Sequence, residues 1–217
     1  MGENNQTKLI GALVVASLTA KTHSLWLLDG FDAQTLNIIR QSCDYLIREG
    51  NDQSRKIAQK FLESDLSQNE EKMSRAWTSL FGLGRMSVTP HESVFRCGLA
   101  MQQPRDLTRV FMLKTGVKLG NSHGEPEDHL GVQLEFLSLL LEKGTLGEQV
   151  CLDYLSLARA FLEERLAWVS GFVRAIERDL ALPAEDDRQV IFDLLDLIVV
   201  FLEQTAILLE RVCFESQ

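Results

Sequence analysis

The chain has 217 residues, of which 45% are hydrophobic and 24% charged. This composition is typical of a globular protein and excludes disorder for most of the chain. The 31 acidic side chains outnumber the 22 basic ones and give a formal net charge of −9. Phosphate groups repel such a chain, so we expect no nucleic-acid partner, whereas a basic peptide is a favourable one.

Four cysteines are scattered without any C-x-x-C pair: Cys43, Cys97, Cys151 and Cys213. This spacing predicts buried free thiols in a reducing compartment, most simply the cytoplasm. The apolar run at residues 9–18 has no basic leader before it, no convincing cleavage site after it, and too few residues to cross a bilayer. We therefore expect a buried first helix and no membrane insertion.

Helical periodicity dominates the first half of the chain. It predicts a first helix that ends at Asp29 and Gly30, a second that Asp32 caps and that runs to residue 49, and a third over residues 53–66. A fourth helix starts near Asn69. A loop rich in glycine follows at residues 82–90, then a short segment at 92–100, and then a helix through 115 with Pro104 in its first turn.

The polar stretch at residues 118–127 is the best candidate for a hinge. It separates an N-terminal helical half, 1–117, from a C-terminal helical half, 128–217, within one shared fold. In the second half, the spacing of apolar residues predicts helices over 127–142, 146–180 and 185–212. The middle one is long enough to need a kink near Gly171 or a break. Since no segment alternates with period two, we predict an all-α, compact multi-helix bundle.

Sequence signatures of catalysis are absent: the chain has no phosphate-binding loop, no dinucleotide fingerprint, no HExxH and no GxSxG. His123, Asp128 and His129 lie close together and leave open a metal-dependent enzyme. No third or fourth ligand has the expected spacing, however. The sequence therefore predicts no catalytic residue, no metal site and no cofactor.

Four short segments stand out together: AWTSLFG at 76–82, PHESVF at 90–95, EPEDHLGVQLEF at 125–136 and FLEERLAW at 161–168. Their order, W-x-x-L-F-G, then P-x-E-S-V-F, then E-P-x-D-H-x-G-x-x-L-E-F, resembles the TorD/DmsD family of redox-enzyme maturation chaperones. Three positions depart from that family's usual pattern: Leu83 replaces a proline, His91 an aromatic residue found in some members, and Arg165 a common histidine.

The resemblance implies an all-α cytoplasmic chaperone without enzymatic activity. Such a chaperone binds the precursor of a molybdenum-cofactor oxidoreductase, through its twin-arginine signal peptide, during cofactor insertion and before export. Carboxylates at Glu125, Glu127 and Asp128 would pair with the two guanidinium groups, and aromatic side chains would contact the apolar segment. The candidate signal-peptide-binding residues are Trp77, Leu80, Phe81, Pro90, His91, Glu125, Pro126, Asp128 and His129.

The same residues also have plainer interpretations. The spacing of Trp77 and Phe81 is more typical of a helix core, and Glu127 and Asp128 are typical of a helix cap. A helical adaptor without peptide binding, whose final helix packs against a partner, is the alternative function. Guanine-nucleotide binding is not predicted without a phosphate loop. The hinge is compatible with a monomer and with a domain-swapped homodimer.

Overall fold

The computed structural model describes residues 3–82, 88–117, 124–145, 151–183 and 186–215. Of the residues that the structure describes, 82% are helical and none belongs to a strand. The predicted all-α fold is therefore confirmed. Its helices are α1 (Glu3–Asp29), α2 (Ala33–Glu49), α3 (Asp52–Glu63), α4 (Glu70–Phe81), α5 (Glu92–Cys97), α6 (Gln103–Thr115), α7 (Leu130–Thr145), α8 (Leu152–Phe161), α9 (Val169–Leu180) and α10 (Gln189–Glu215).

Polar caps set several of the helix starts. The Asp32 carboxylate accepts a hydrogen bond from the Thr35 backbone N–H at 2.6 Å, and Asn69 does the same for the N–H of Lys72 at 3.0 Å. Both starts match the prediction. The third helix is shorter than predicted because Ser64 is extended and caps a separate 3₁₀ turn, Asp65–Gln68.

The helices on the two sides of the predicted hinge pack together. The Ser17 hydroxyl on α1 donates to the Ser138 carbonyl on α7 at 3.0 Å. Lys60 on α3 reaches the Asp193 carboxylate on α10 at 2.6 Å. Both halves thus contribute to one core. Residues 118–123 of the hinge lie outside the described residues, and the division at 118–127 stays a prediction.

The predicted buried first helix is present as α1, but it is buried on one face only. Leu13 is fully buried, whereas Leu18 is 62% exposed. The opposite faces of α1 are thus both apolar, which explains why the run looked like a core helix. In the described chain, residues Thr7–Asp29 form the one helix with the length and hydropathy of a membrane span, and 39% of its most apolar window is buried.

A π-helical turn at Leu162–Leu166 divides the long helix predicted over 146–180. The prediction was a kink near Gly171 or a break: the break is found, at residues 162–166, and Gly171 lies inside α9. Residues 146–150 are outside the described part. The four cysteines are free as predicted, but burial holds for Cys43 alone, since Cys97 is exposed and Cys151 and Cys213 are half-buried.

Candidate functional site

Two of the sequence segments meet in a short antiparallel bridge, which we call the junction: residues 90–92 and residues 128–130. The Glu92 backbone N–H donates to the Asp128 carbonyl at 3.0 Å, and the Leu130 N–H donates to the Pro90 carbonyl at 2.8 Å. His91 and His129 face each other across the bridge. The backbone therefore brings together Pro90, His91, Asp128 and His129, which are distant in sequence.

Asp128 is held inside the junction. Its side chain is fully buried, and its Oδ2 accepts a hydrogen bond from the Ser93 backbone N–H at 2.8 Å. That N–H lies in the first turn of α5, where no intrahelical partner exists. Oδ1 is also buried, without a hydrogen-bond partner among the described residues. In this structure the Asp128 carboxylate caps α5 from a distant segment and is not open to solvent.

His129 is a buried neutral imidazole. Its Nδ1 accepts a hydrogen bond from the Gly131 backbone N–H at 3.1 Å, and the side chain is 5% exposed. Burial, with a further contribution from His91, lowers the pKa of His129 to about 3. The two rings stand edge to face with centroids 4.8 Å apart. His129 is therefore uncharged at neutral pH.

The carboxylates of the loop before α7 differ in availability. Glu127 lies 2.7 Å from Arg105 Nε and 3.7 Å from Arg109 Nε. Burial acts to raise the pKa of Glu127, but the hydrogen bond from Arg105 and the backbone lower it overall. Glu125 has a 41% exposed side chain, and its Oε2 is 3.3 Å from His91 Nε2. Glu125 is the accessible carboxylate of this group.

The apolar candidates on α4 fall into two classes. Leu80 is fully buried and belongs to the core. Trp77 and Phe81 are half-buried, with ring centroids 5.9 Å apart. The Trp77 ring covers Gly30. The φ of Gly30 is +75°, so any other residue at this position would strain the backbone. The indole Nε1 of Trp77 is buried without a hydrogen-bond partner among the described residues.

Two links connect the α4 aromatics to the junction. The Val88 N–H donates to the Leu80 carbonyl at 2.7 Å, just before Pro90 enters the junction. The end of α1 contacts both the α4 aromatics and the junction. The ring centroids of Trp26 and Phe81 are 6.4 Å apart, and Leu28 packs against Gly131. A Cβ at position 131 would come within 2.7 Å of Leu28 Cγ, so glycine permits this close contact.

A buried polar network behind the junction escaped the sequence analysis. Glu92 is fully buried and accepts from Arg96 Nε at 2.8 Å and from Gln133 Nε2 at 3.0 Å. The Trp168 indole N–H donates to Gln133 Oε1 at 3.0 Å. Arg165, on the π-helical turn, lies 3.7 Å from Glu92. Burial raises the pKa of Glu92, which Arg165 partly offsets.

The only signal in the sequence for this network was the departure at Arg165 from the pattern of the resembling family. An arginine there supplies a cation for a buried carboxylate that residues of α5, α7 and the π-helical turn contact. From the sequence alone, Glu92 is indistinguishable from an ordinary exposed acidic residue in the first turn of a short helix. Its burial depends on α7 and the turn before α9, which local sequence does not reveal.

The metal-dependent alternative gains no support from this geometry. His123 lies outside the described residues. Among the residues that are described, no group of three or more histidine, cysteine, aspartate or glutamate side chains is placed to hold a metal ion. Asp128 and His129 are engaged by the Ser93 and Gly131 backbone N–H groups instead.

Comparison with known proteins gives a family. Residues 46–174 match the model of the nitrate reductase delta subunit family. No curated protein matches the chain. Members of this family are redox-enzyme maturation chaperones, and they bind the precursor of a nitrate reductase-type enzyme. Since the match covers more than half of the 217 residues, the chain belongs to the nitrate reductase delta subunit family of redox-enzyme maturation chaperones.

Proposed function

We infer that this chaperone belongs to the TorD/DmsD branch and acts in the cytoplasm on one exported molybdenum-cofactor oxidoreductase. It holds the precursor through its twin-arginine signal peptide while the cofactor is inserted. Among the candidate residues, Trp77, Phe81, His91, Glu125 and Pro126 supply the contact surface. Leu80, Pro90, Asp128 and His129 support it from within.

The observation that carries this proposal is the position of Glu125 beside the junction. A twin-arginine signal peptide has a basic end followed by an apolar segment. Glu125 offers a 41% exposed carboxylate to the basic end. Trp77 and Phe81 offer half-buried rings to the apolar segment, and the end of α1 lies between the two groups. Aromatic anchors and a carboxylate are the side chains that such a peptide needs.

Titration calorimetry of the full chain against a panel of synthetic twin-arginine signal peptides tests this function. We expect saturable binding of one peptide with a dissociation constant in the micromolar range, which corresponds to about −8 kcal/mol. A peptide of the same composition in scrambled order is the control. Absence of binding across the panel, with the protein folded by circular dichroism, would contradict signal-peptide binding and favour the adaptor function.

The oligomeric state is part of the proposal. The helices on both sides of residues 118–127 share one core, so the same contacts form within one chain or between two chains that exchange halves. We expect a monomer that converts slowly to a domain-swapped homodimer. Light scattering on freshly purified and on concentrated, aged protein distinguishes the two states by mass.

A further inference from the structure

A recess of about 270 Å³ opens beside the loop that contains Glu125. This volume is large enough to accommodate a long side chain such as that of arginine. Half of its lining side chains are apolar and half are charged. They are Met101, Val132 and Pro126, and Arg105, Glu125 and Glu127.

The two carboxylates that line the recess differ in their partners. Glu127 lies 2.7 Å from Arg105 Nε and 3.7 Å from Arg109 Nε, so two guanidinium groups already neutralise it. Glu125 has a 41% exposed side chain, and its described neighbour is His91 Nε2 at 3.3 Å and not an arginine. Glu125 is therefore the carboxylate of this recess with which a guanidinium from outside can pair.

The apolar side of the recess favours a long side chain. Met101 is 57% exposed, Pro126 is half-buried, and Val132 closes the inner end. Methylene groups of an arginine side chain pack on such a surface while the charged head stays at the rim. A guanidinium also forms two parallel hydrogen bonds to one carboxylate, which the ammonium of lysine does not.

Other carboxylates near the junction are already engaged. Asp128 is fully buried and bonded to the Ser93 N–H, and Glu92 is fully buried and bonded to Arg96. With Glu127 paired as well, one carboxylate is available for a peptide guanidinium. We propose that this recess, with Glu125 as its carboxylate, binds one arginine side chain of the precursor peptide, so that the chaperone reads one of the two arginines and not both.

This inference rests on the proposed function, and its test separates the two. Calorimetry compares the bound signal peptide with three variants in which the first, the second or both arginines are lysine. We expect one single substitution to weaken binding about tenfold or more, in line with a lost charge-assisted hydrogen bond, and the other to weaken it less than about threefold. Equal effects of the two single substitutions would overturn the inference while leaving peptide binding intact.

Variants of the protein locate the effect. We expect Glu125→Gln to weaken binding of the twin-arginine peptide about tenfold and to make the two single-lysine peptides bind alike. Asp106→Asn is the matched control, since Asp106 is an exposed acidic residue on α6 that does not line the recess. If Glu125→Gln leaves the preference between the two arginines unchanged, or Asp106→Asn abolishes it, the recess is not the site.

A charge reversal provides the positive test. Glu125→Arg should abolish binding of the twin-arginine peptide, and a peptide with glutamate at the preferred arginine should restore part of it. Failure of that restoration, with both proteins folded, would overturn the assignment of Glu125. Loss of all peptide binding by the unmodified protein would overturn the proposed function together with this inference.

Discussion

The junction and the α4 aromatic pair differ in how their side chains are committed. Polar groups of the junction are buried and bonded: Asp128 to Ser93, His129 to Gly131, and Glu92 to Arg96 and Gln133. Trp77 and Phe81 are half-buried and bonded to no polar partner that the structure describes. Asp128 and His129, two polar residues of the E-P-x-D-H motif, are thus engaged in internal contacts, whereas Trp77, Phe81 and Glu125 keep part of their surface exposed.

Removal of Glu92 is the largest expected break in the junction. Glu92→Ala leaves Arg165, which is 14% exposed, and Gln133 without their carboxylate. Breaking a buried pair in this way typically costs about 3–5 kcal/mol of unfolding free energy. Urea denaturation measures the loss. Glu125→Ala is the control and should change the unfolding free energy by less than about 0.5 kcal/mol, since its carboxylate is exposed. Similar losses of unfolding free energy in both variants would contradict the distinction between the buried Glu92 and the exposed Glu125.

Asp128 should show a smaller effect of the same kind. Asp128→Ala removes the acceptor of the Ser93 N–H and leaves a buried donor unsatisfied, at a cost of about 1–3 kcal/mol. Asp128→Asn keeps an oxygen in place and should recover most of the loss in thermal or urea unfolding. At a temperature where both variants are folded, we expect each to bind the signal peptide with an affinity within about threefold of the unmodified protein. This limit corresponds to a change of less than about 0.7 kcal/mol in binding free energy. A tenfold loss in the folded variant would make Asp128 a direct contact.

The buried histidines should make the protein sensitive to acid. Burial lowers the pKa of His129 to about 3 and that of His23 to about 4. At these two positions the unfolded chain binds more protons than the folded one below about pH 6.5, so the stability that the two neutral histidines contribute is lost as the pH falls from 6.5 towards these values. Each histidine adds up to about 1.4 kcal/mol per pH unit to this slope.

The histidine contribution is measured by urea unfolding between pH 7 and pH 4. His129→Gln should reduce the slope of unfolding free energy against pH by up to one proton, because glutamine does not titrate. His91→Gln is the comparison on the other side of the junction. An unchanged slope in His129→Gln would show that His129 takes up its proton equally in the folded and the unfolded chain, which contradicts a lowered pKa.

Trp77→Phe should have only a small effect on stability. Phenylalanine keeps a ring against Gly30 and Phe81, and the indole N–H that is lost has no described partner. We expect the unfolding free energy to change by less than about 1 kcal/mol, since a desolvated donor is removed together with some buried area. Trp77→Ala should by contrast reduce signal-peptide affinity strongly. A stability loss in Trp77→Phe as large as that of Asp128→Ala would place Trp77 with the supporting residues.

Local chemistry made part of the fold predictable from sequence. Asp32 and Asn69 mark helix starts because their side chains accept backbone hydrogen bonds three residues on, a rule that needs no tertiary contact. The junction does not follow from such rules. Asp128 caps α5 from another part of the chain, and the bridge between His91 and His129 has no periodic signal. The resemblance grouped these residues, but their burial and their partners came from packing.

The candidate site was predicted as one list of residues, and the structure divides it by exposure. Leu80 and Phe81 are neighbours in sequence, yet one is fully buried and the other half-buried. Spacing alone placed them on similar faces of α4. The exposure of Phe81 depends in part on where α1 lies, because Trp26 packs beside its ring. Sequence periodicity identifies an apolar face but not how much of it a neighbouring helix covers.

The orientation of α9 about its own axis depends on the number of residues in the π-helical turn at Leu162–Leu166. Each residue of an α-helix advances its side chains by about 100° around the axis. Deletion of one residue within this turn would restore regular α-helix and turn everything after it by that angle. Trp168 would then lose its hydrogen bond to Gln133, and Phe172 would lose its ring contact with Phe95, although the helical content stayed the same. The alignment of two segments that are far apart in sequence is thus set by a single inserted residue.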